Sequence, residues 1–214
     1  MKCYCIETDD KFTYCVENVE DKYIENIEHA WFKKEGNIFI KEYPNNFNDK
    51  EIIKDNFTKI GESMFKNEGD WEKSLEIFAE KCFKNNIEWY ITGSISEAVI
   101  GVKIIPHDID IVTHVRDFYK TKELFMEYLI EPFVDNGGTW LVQYFGRICI
   151  NGIMLDIVAD KKMNSENYNY ENILWKKYNL KIEPIKKRYG IEIQRNRIER
   201  IEKIKEYLVK NNIE

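Results

Sequence analysis

Apolar positions recur along this chain in two periods, and the switches between them mark out its elements. KCYCIET and KFTYCVENV alternate with period two around an acidic turn at Asp9-Asp10. NIFIKEYP follows a Gly36-Asn37 turn and stops at Pro44, so three strands are predicted in residues 1–44. Between them, Glu20 to Trp31 fits a helix or a further strand. The period then lengthens: Ile53, Phe57, Ile60 and Met64 recur at three and four, which predicts a helix over 49–67. Asp70 is placed to cap a second helix, whose apolar face is Leu75, Phe78, Ala79 and Cys82.

The run WYIT reads as a strand, followed at Gly93-Ser94 by a turn and a helix over 95–102, and Pro106 separates that helix from the strand DIDIVT. Residues 115–136 predict a helix ending near Pro132, and Gly137-Gly138 a loop. TWLVQYFGRICI and GIMLDIVAD predict a hairpin closed by Asn151-Gly152, which puts Arg147 and Asp156 on paired strands. Residues 161–180 read as a polar surface excursion with a short helix near Ile173 to Tyr178. Ile198, Ile201, Ile204 and Leu208 give an amphipathic closing helix. The class is α+β: a mixed sheet with flanking helices over 69–160, a β-rich extension over 1–68, and a basic segment with a closing helix over 161–214.

Charge adds one asymmetry. The net charge of -6 argues against nucleic-acid binding through the whole surface. Residues 161–214, however, carry 14 basic against 8 acidic side chains, so a basic tail could fold over an acidic centre. The five cysteines have neither CxxC nor zinc spacing. The acidic start and the lack of a membrane-length apolar run predict a cytoplasmic, reduced protein.

The chemistry concentrates between Trp89 and His114. On a strand, Asp108 and Asp110 share a face while Ile109 and Ile111 take the other. Two close carboxylates need a shared proton or a cation, and hard oxygen ligands suit Mg²⁺. Gly93 lets backbone approach a phosphate, with Ser94 supplying a hydroxyl beside a helix start and Ser96 a second one nearby. A solvated edge strand with two acids and a capping serine would give the same letters. Asp156 tips the balance, because a lone acid amid Met154-Leu155 and Ile157-Val158 is costly to bury without a cation. Asp160 shares its face and is the alternative third acid.

Thr92-Gly93-Ser94, Asp108-Ile109-Asp110-Ile111 and the later Asp156 together resemble the nucleotidyltransferase superfamily with the polymerase-β-like fold, over roughly Trp71 to Asp160. Because His107 precedes the first Asp, the likeness is nearest to small bacterial lincosamide- and aminoglycoside-modifying members. The resemblance implies two Mg²⁺ ions held by Asp108, Asp110 and Asp156, Asp156 being a metal ligand, a base or both. It further implies an NTP (ATP foremost) as co-substrate and transfer of NMP to an acceptor hydroxyl. Gly93, Ser94, Ser96, His107 and Arg147 are the nucleotide-binding candidates, with Lys161, Lys162, Arg195 and Arg197 as further cations and Trp140 or Tyr144 as stacking surfaces. His29 and His114 are assigned to structure, and Glu97 to an ordinary helix start. The same core serves small molecules, proteins and RNA, so the acceptor stays open. A partner protein without catalysis, such as a toxin–antitoxin component, or an NTP-binding regulator is the alternative. The extension 1–68 reads as a cover for the core or as a surface pairing two copies into a homodimer.

Overall fold

The computed structural model describes residues 1–213. The N-terminal strands β1 (Lys2–Glu7), β2 (Lys11–Glu17), β3 (Lys33–Glu35) and β4 (Ile38–Pro44) form an antiparallel sheet in the order β1-β2-β4-β3. Between β2 and β3 the chain makes a 3₁₀ turn and the short helix α1 (Ile24–His29), which resolves the helix-or-strand ambiguity there. The long helix α2 (Lys50–Lys66) buries Ile53, Phe57 and Met64, as the three-four spacing predicts. Helix α3 (Trp71–Lys84) is capped by Asp70, whose carboxylate accepts from the backbone N–H groups of Glu72 and Lys73.

A seven-stranded mixed sheet carries the rest of the fold. Its strands are β5 (Trp89–Thr92), β6 (Asp108–Thr113), β7 (Leu129–Asp135), β8 (Tyr144–Ile150), β9 (Ile153–Ala159), β10 (Glu171–Trp175) and β11 (Tyr178–Ile182), in the order β10-β11-β5-β6-β9-β8-β7. Helix α4 (Gly93–Ala98) follows β5, α5 (Phe118–Leu124) precedes β7, and α6 (Ile185–Gln194) and α7 (Ile198–Lys210) close the chain. One apolar core runs from Phe12 and Tyr14 through Phe57 and Phe65 to Ile109, Ile111 and Ile157, so the N-terminal sheet and the larger sheet bury a common interior. Val102, Ile185 and Ile204 form a small satellite cluster beneath α7. No described helix is long and apolar enough to cross a membrane. All five cysteines are free, and burial pushes the thiols of Cys3 and Cys149 up to about 12.

Three local expectations change. Residues 129–135 are a strand, not the end of a helix: α5 stops at Leu124, and Pro132 sits in β7. β7 is an edge strand with irregular register, where a missing N–H costs the ladder least. Residues 171–182 form the hairpin β10-β11, turned at Lys176 with φ 52°, where a short surface helix is predicted. Strand β11 docks parallel on β5 by pairing Ile182 with Ile91, and the burial of Leu180 and Ile182 is the tertiary gain that the polar local sequence hides. The helix after Gly93 also begins and ends earlier than predicted, at Gly93 and Ala98 rather than 95 and 102. The Asn151-Gly152 hairpin forms as expected, with φ of 50° and 78° at its corner.

Candidate functional site

One transverse row of side chains crosses the large sheet. Register pairs Thr92 with Asp110, Asp110 with Asp156, Asp156 with Arg147, and Arg147 with Glu131, so β5, β6, β9, β8 and β7 each contribute one member. Residues directly opposite one another on adjacent strands point to the same face. Asp108 joins them from two residues earlier on β6, and ligand oxygens of Asp108, Asp110 and Asp156 all lie within 4.8 Å of one another. Asp108, Asp110, Asp156 and Arg147 line a cavity of about 390 Å³ whose walls also include Gly93, Ser94, His107, His29, Trp31 and four arginines of the C-terminal segment.

The Gly93-Ser94 turn abuts the acids directly. Gly93 has φ +66°, and a Cβ built on it would lie 1.8 Å from Oδ2 of Asp110, so glycine is required here on both backbone and steric grounds. Ser94 is buried beside it. The Ser96 hydroxyl donates to the Gly93 carbonyl at 2.7 Å, bracing the turn, and Ser96 does not line the cavity.

The charges are unequally settled. Burial, then the negative charges of Asp108 and Asp156, push the Asp110 carboxyl up to about 8. Burial opposes ionisation of Asp108 as well, yet His29, with Nε2 at 3.8 Å from Oδ2, outweighs it and holds Asp108 below the usual carboxylate range. Asp108 in turn raises the His29 imidazole. Asp156 accepts at both oxygens from Arg147, at 2.6 Å from Nε and 2.9 Å from Nη2. Arg147 continues to Glu131 at 2.8 Å, and the far oxygen of Glu131 accepts at 2.6 Å from both Lys41 and the Tyr43 hydroxyl. Burial opposes ionisation of Glu131, but these two cations bring its carboxyl down to about 2. Lys41 itself falls to about 8, because burial costs it more than a carboxylate shared with Arg147 returns. The third acid is therefore tied, through Arg147 and Glu131, to β4 of the N-terminal sheet.

Of the residues singled out in the sequence, Gly93, Ser94, His107, Asp108, Asp110, Arg147, Asp156, Arg195 and Arg197 surround one cavity. Arg147 lines the cavity but is nearly fully buried, and its guanidinium is engaged by Asp156 and Glu131. Asp160 is not part of the acid cluster: it accepts from the backbone of Gln143 and Lys162. Lys162 turns to the Leu141 carbonyl, and neither Lys161 nor Lys162 lines the cavity. Tyr144 packs on Phe118 and Tyr119, whereas Trp140 lies edge-on to Trp31 and Phe145, and neither Tyr144 nor Trp140 lines the cavity. Glu97 is fully buried against Arg188, a stronger tie than a helix-start acid needs. His114 accepts from the Arg116 N–H, away from the cavity. His29, Trp31, Arg188 and Arg200 also border the cavity, and sequence reasoning passes over all four as cavity residues. The signal for the arginines lay in the basic excess of the tail; nothing local marks His29 or Trp31.

The donor set suits a hard divalent cation. Three carboxylates converge within 4.8 Å, and Asp110 among them is left without a basic partner in the described residues. A divalent cation would supply the charge that this cluster lacks.

No family model matches the chain, and neither does any curated protein. Among solved structures, it is similar to the Thermotoga maritima protein TM1012, provisionally assigned as a nucleotidyltransferase. The two share a TM-score of 0.52 and 20% identity over 65% of this chain and 93% of that one. The two chains share a fold.

Proposed function

We propose that the chain is a magnesium-dependent nucleotidyltransferase that moves NMP from an NTP to an acceptor hydroxyl and releases pyrophosphate. The observation carrying this reading is the convergence of Asp108, Asp110 and Asp156 against a glycine turn that admits no side chain. Asp108, Asp110 and Asp156 would hold the cation, which when bound neutralises phosphate charge and the charge that develops during transfer. Gly93 and Ser94 give the phosphates close access to backbone. Arg195 and Arg200 form no ion pair among the described residues and face the same cavity, so they suit the outgoing pyrophosphate charge. Arg188 is spent on Glu97, Glu183 and Glu192 and fixes the floor of that wall. The bond formed joins the acceptor oxygen to the α-phosphorus, the bond broken is that to the bridging oxygen of pyrophosphate, and the hydroxyl proton leaves through the carboxylates to solvent.

A second reading, an NTP-binding module without turnover, draws on the engagement of both Asp156 oxygens by Arg147. Pyrophosphate release separates the two. The first test is thermal melting with each of the four NTPs, with and without Mg²⁺. A ligand at a hundredfold excess over its Kd adds about 2.7 kcal/mol, a shift of roughly 5–11 °C for a chain of this size. A magnesium-dependent shift with at least one NTP is expected, and none with any of the four would overturn both readings.

Gly93→Ala tests the phosphate turn. An L side chain at φ +66° costs about 1–2 kcal/mol before the clash with Asp110 is counted. We expect a lower melting temperature and no magnesium-dependent NTP shift; a variant that kept the full shift would remove Gly93 from the site.

A further inference from the structure

Both flanks of the Gly93-Ser94 turn run to one buried guanidinium. Thr92, the residue before the turn, donates its hydroxyl to Oε2 of Glu183 at 2.5 Å, and Arg188 donates to that same oxygen at 3.4 Å. Glu97, on α4 after the turn, accepts from Nε of Arg188 at 2.8 Å. The remaining arm of Arg188 reaches Glu192, one turn further along α6. Glu183 is itself fixed against β5, its N–H donating to the Ile91 carbonyl at 2.9 Å.

Such a cluster is costly to bury. Glu97, Glu183 and Glu192 share one cation inside the protein, and Oε2 of Glu97 has no hydrogen-bond partner among the described residues. Lys187 and Arg197 reach Glu183 and Glu192 only at 3.4 and 3.5 Å. Burial raises the Glu97 carboxyl even with Arg188 beside it. Ordinary interiors leave few buried polar atoms unpaired, whereas strained charge clusters gather around functional clefts. The segment this cluster holds needs holding: α4 has six residues, too few to keep its shape alone. A phosphate cradle, by contrast, must fix its donors to within about 0.5 Å. We infer that Arg188 is a positioning residue that clamps the turn from both flanks, through Glu183 to Thr92 and directly to Glu97, and so makes α6 part of the phosphate site. The inference rests on the nucleotidyltransferase reading for what the turn binds, but not for the clamp itself.

Two measurements on the full chain test it: hydrogen–deuterium exchange over residues 89–98, and calorimetric titration with inorganic pyrophosphate in Mg²⁺. Thr92→Val removes the hydroxyl and keeps the shape, while Thr92→Ser keeps the hydroxyl. The valine variant should exchange faster over 89–98 and bind Mg²⁺–pyrophosphate about tenfold more weakly, the effect of one hydrogen bond. The serine variant should stay within about twofold of wild type. Mn²⁺ alone, followed by electron paramagnetic resonance, should bind both as it binds wild type, a split that general destabilisation would not produce. Glu97→Gln gives the same reading on the opposite flank should Thr92→Val fail to fold. Wild-type exchange in both Thr92→Val and Glu97→Gln would overturn the clamp, as would faster exchange with pyrophosphate affinity kept. Equal losses in Thr92→Ser and Thr92→Val would overturn it, because the serine retains the bond. Loss of Mn²⁺ together with pyrophosphate would also overturn it, by placing the fault in the acid row. If the wild type binds no Mg²⁺–pyrophosphate while exchange behaves as stated, the transferase reading fails and the clamp on the turn stands.

Discussion

Asp110→Asn is expected to melt higher than the wild type in metal-free buffer at pH 7 while losing transfer activity by about a thousandfold or more, the several kcal/mol that a lost metal carboxylate removes. The stability gain follows from the sign of the shift. Burial, with Asp108 and Asp156 behind it, raises the Asp110 carboxyl from 3.8 to about 8. A group whose folded pKa is raised contributes fully below its unfolded pKa, and that contribution is lost as pH rises through the folded one. Metal-free wild type should therefore lose stability between about pH 4 and pH 8, and asparagine, which does not titrate, should not show that arm. At pH 7 the difference is on the order of 4 kcal/mol, or about 8–16 °C. Magnesium with an NTP should reverse the order, stabilising the wild type and leaving the variant where it was. Melts from pH 4 to pH 8 check the first half, and pyrophosphate release in the presence of acceptor checks the second. A variant less stable than wild type at pH 7 would mean that Asp110 carries a compensated charge.

The acids and the glycine turn were legible because their signals are local. Period two put Asp108 and Asp110 on one face, and the Asn151-Gly152 corner set the register that joins Arg147 to Asp156. The partners of those groups were not legible, because each comes from far along the chain. Lys41 and Tyr43 reach Glu131 across 90 and 88 residues, and no period in the sequence links β4 to β7. Glu131 was obscured by its neighbour: Pro132 reads as the end of a helix, whereas it sits in an edge strand that tolerates it. The reasoning that singled out Asp156, an acid embedded in an apolar strand, applies equally to Glu131 in LIEPFV. His29 and Trp31 belong to a short helix and the turn after it, in a segment whose pattern fits two elements, and only the tertiary fold carries them to the cavity. The basic tail is the intermediate case. Composition shows the excess of cations, but the α6–α7 turn and the first turn of α7 select Arg195, Arg197 and Arg200 for the cavity.

Arg147→Met should cost about 3–5 kcal/mol, the usual penalty for leaving buried charges without their partner, and lower the melting temperature by roughly 10 °C or more. The methionine fills much of the volume, so the loss reports charge rather than a cavity. Two carboxylates are stranded at once: Asp156 loses both donors, and Glu131 keeps only Lys41 and the Tyr43 hydroxyl. Arg147 is the foremost opponent of burial at Glu131, so its removal should also move the acid limb of stability. In the wild type, Glu131 has a folded pKa of about 2 against 4.5 unfolded, so its contribution, about 3 kcal/mol, is present above pH 4.5 and lost as pH falls towards 2. In Arg147→Met that limb should be shallower and end at higher pH. Adding Glu131→Gln should recover part of the stability, since an uncharged amide no longer needs a buried cation, but it should not recover transfer, because Asp156 remains unheld. Recovery of both would make Arg147 a structural counter-ion only. Recovery of stability without activity would place the orientation of Asp156, and with it the link from the N-terminal sheet to the acid row, among the requirements of the reaction.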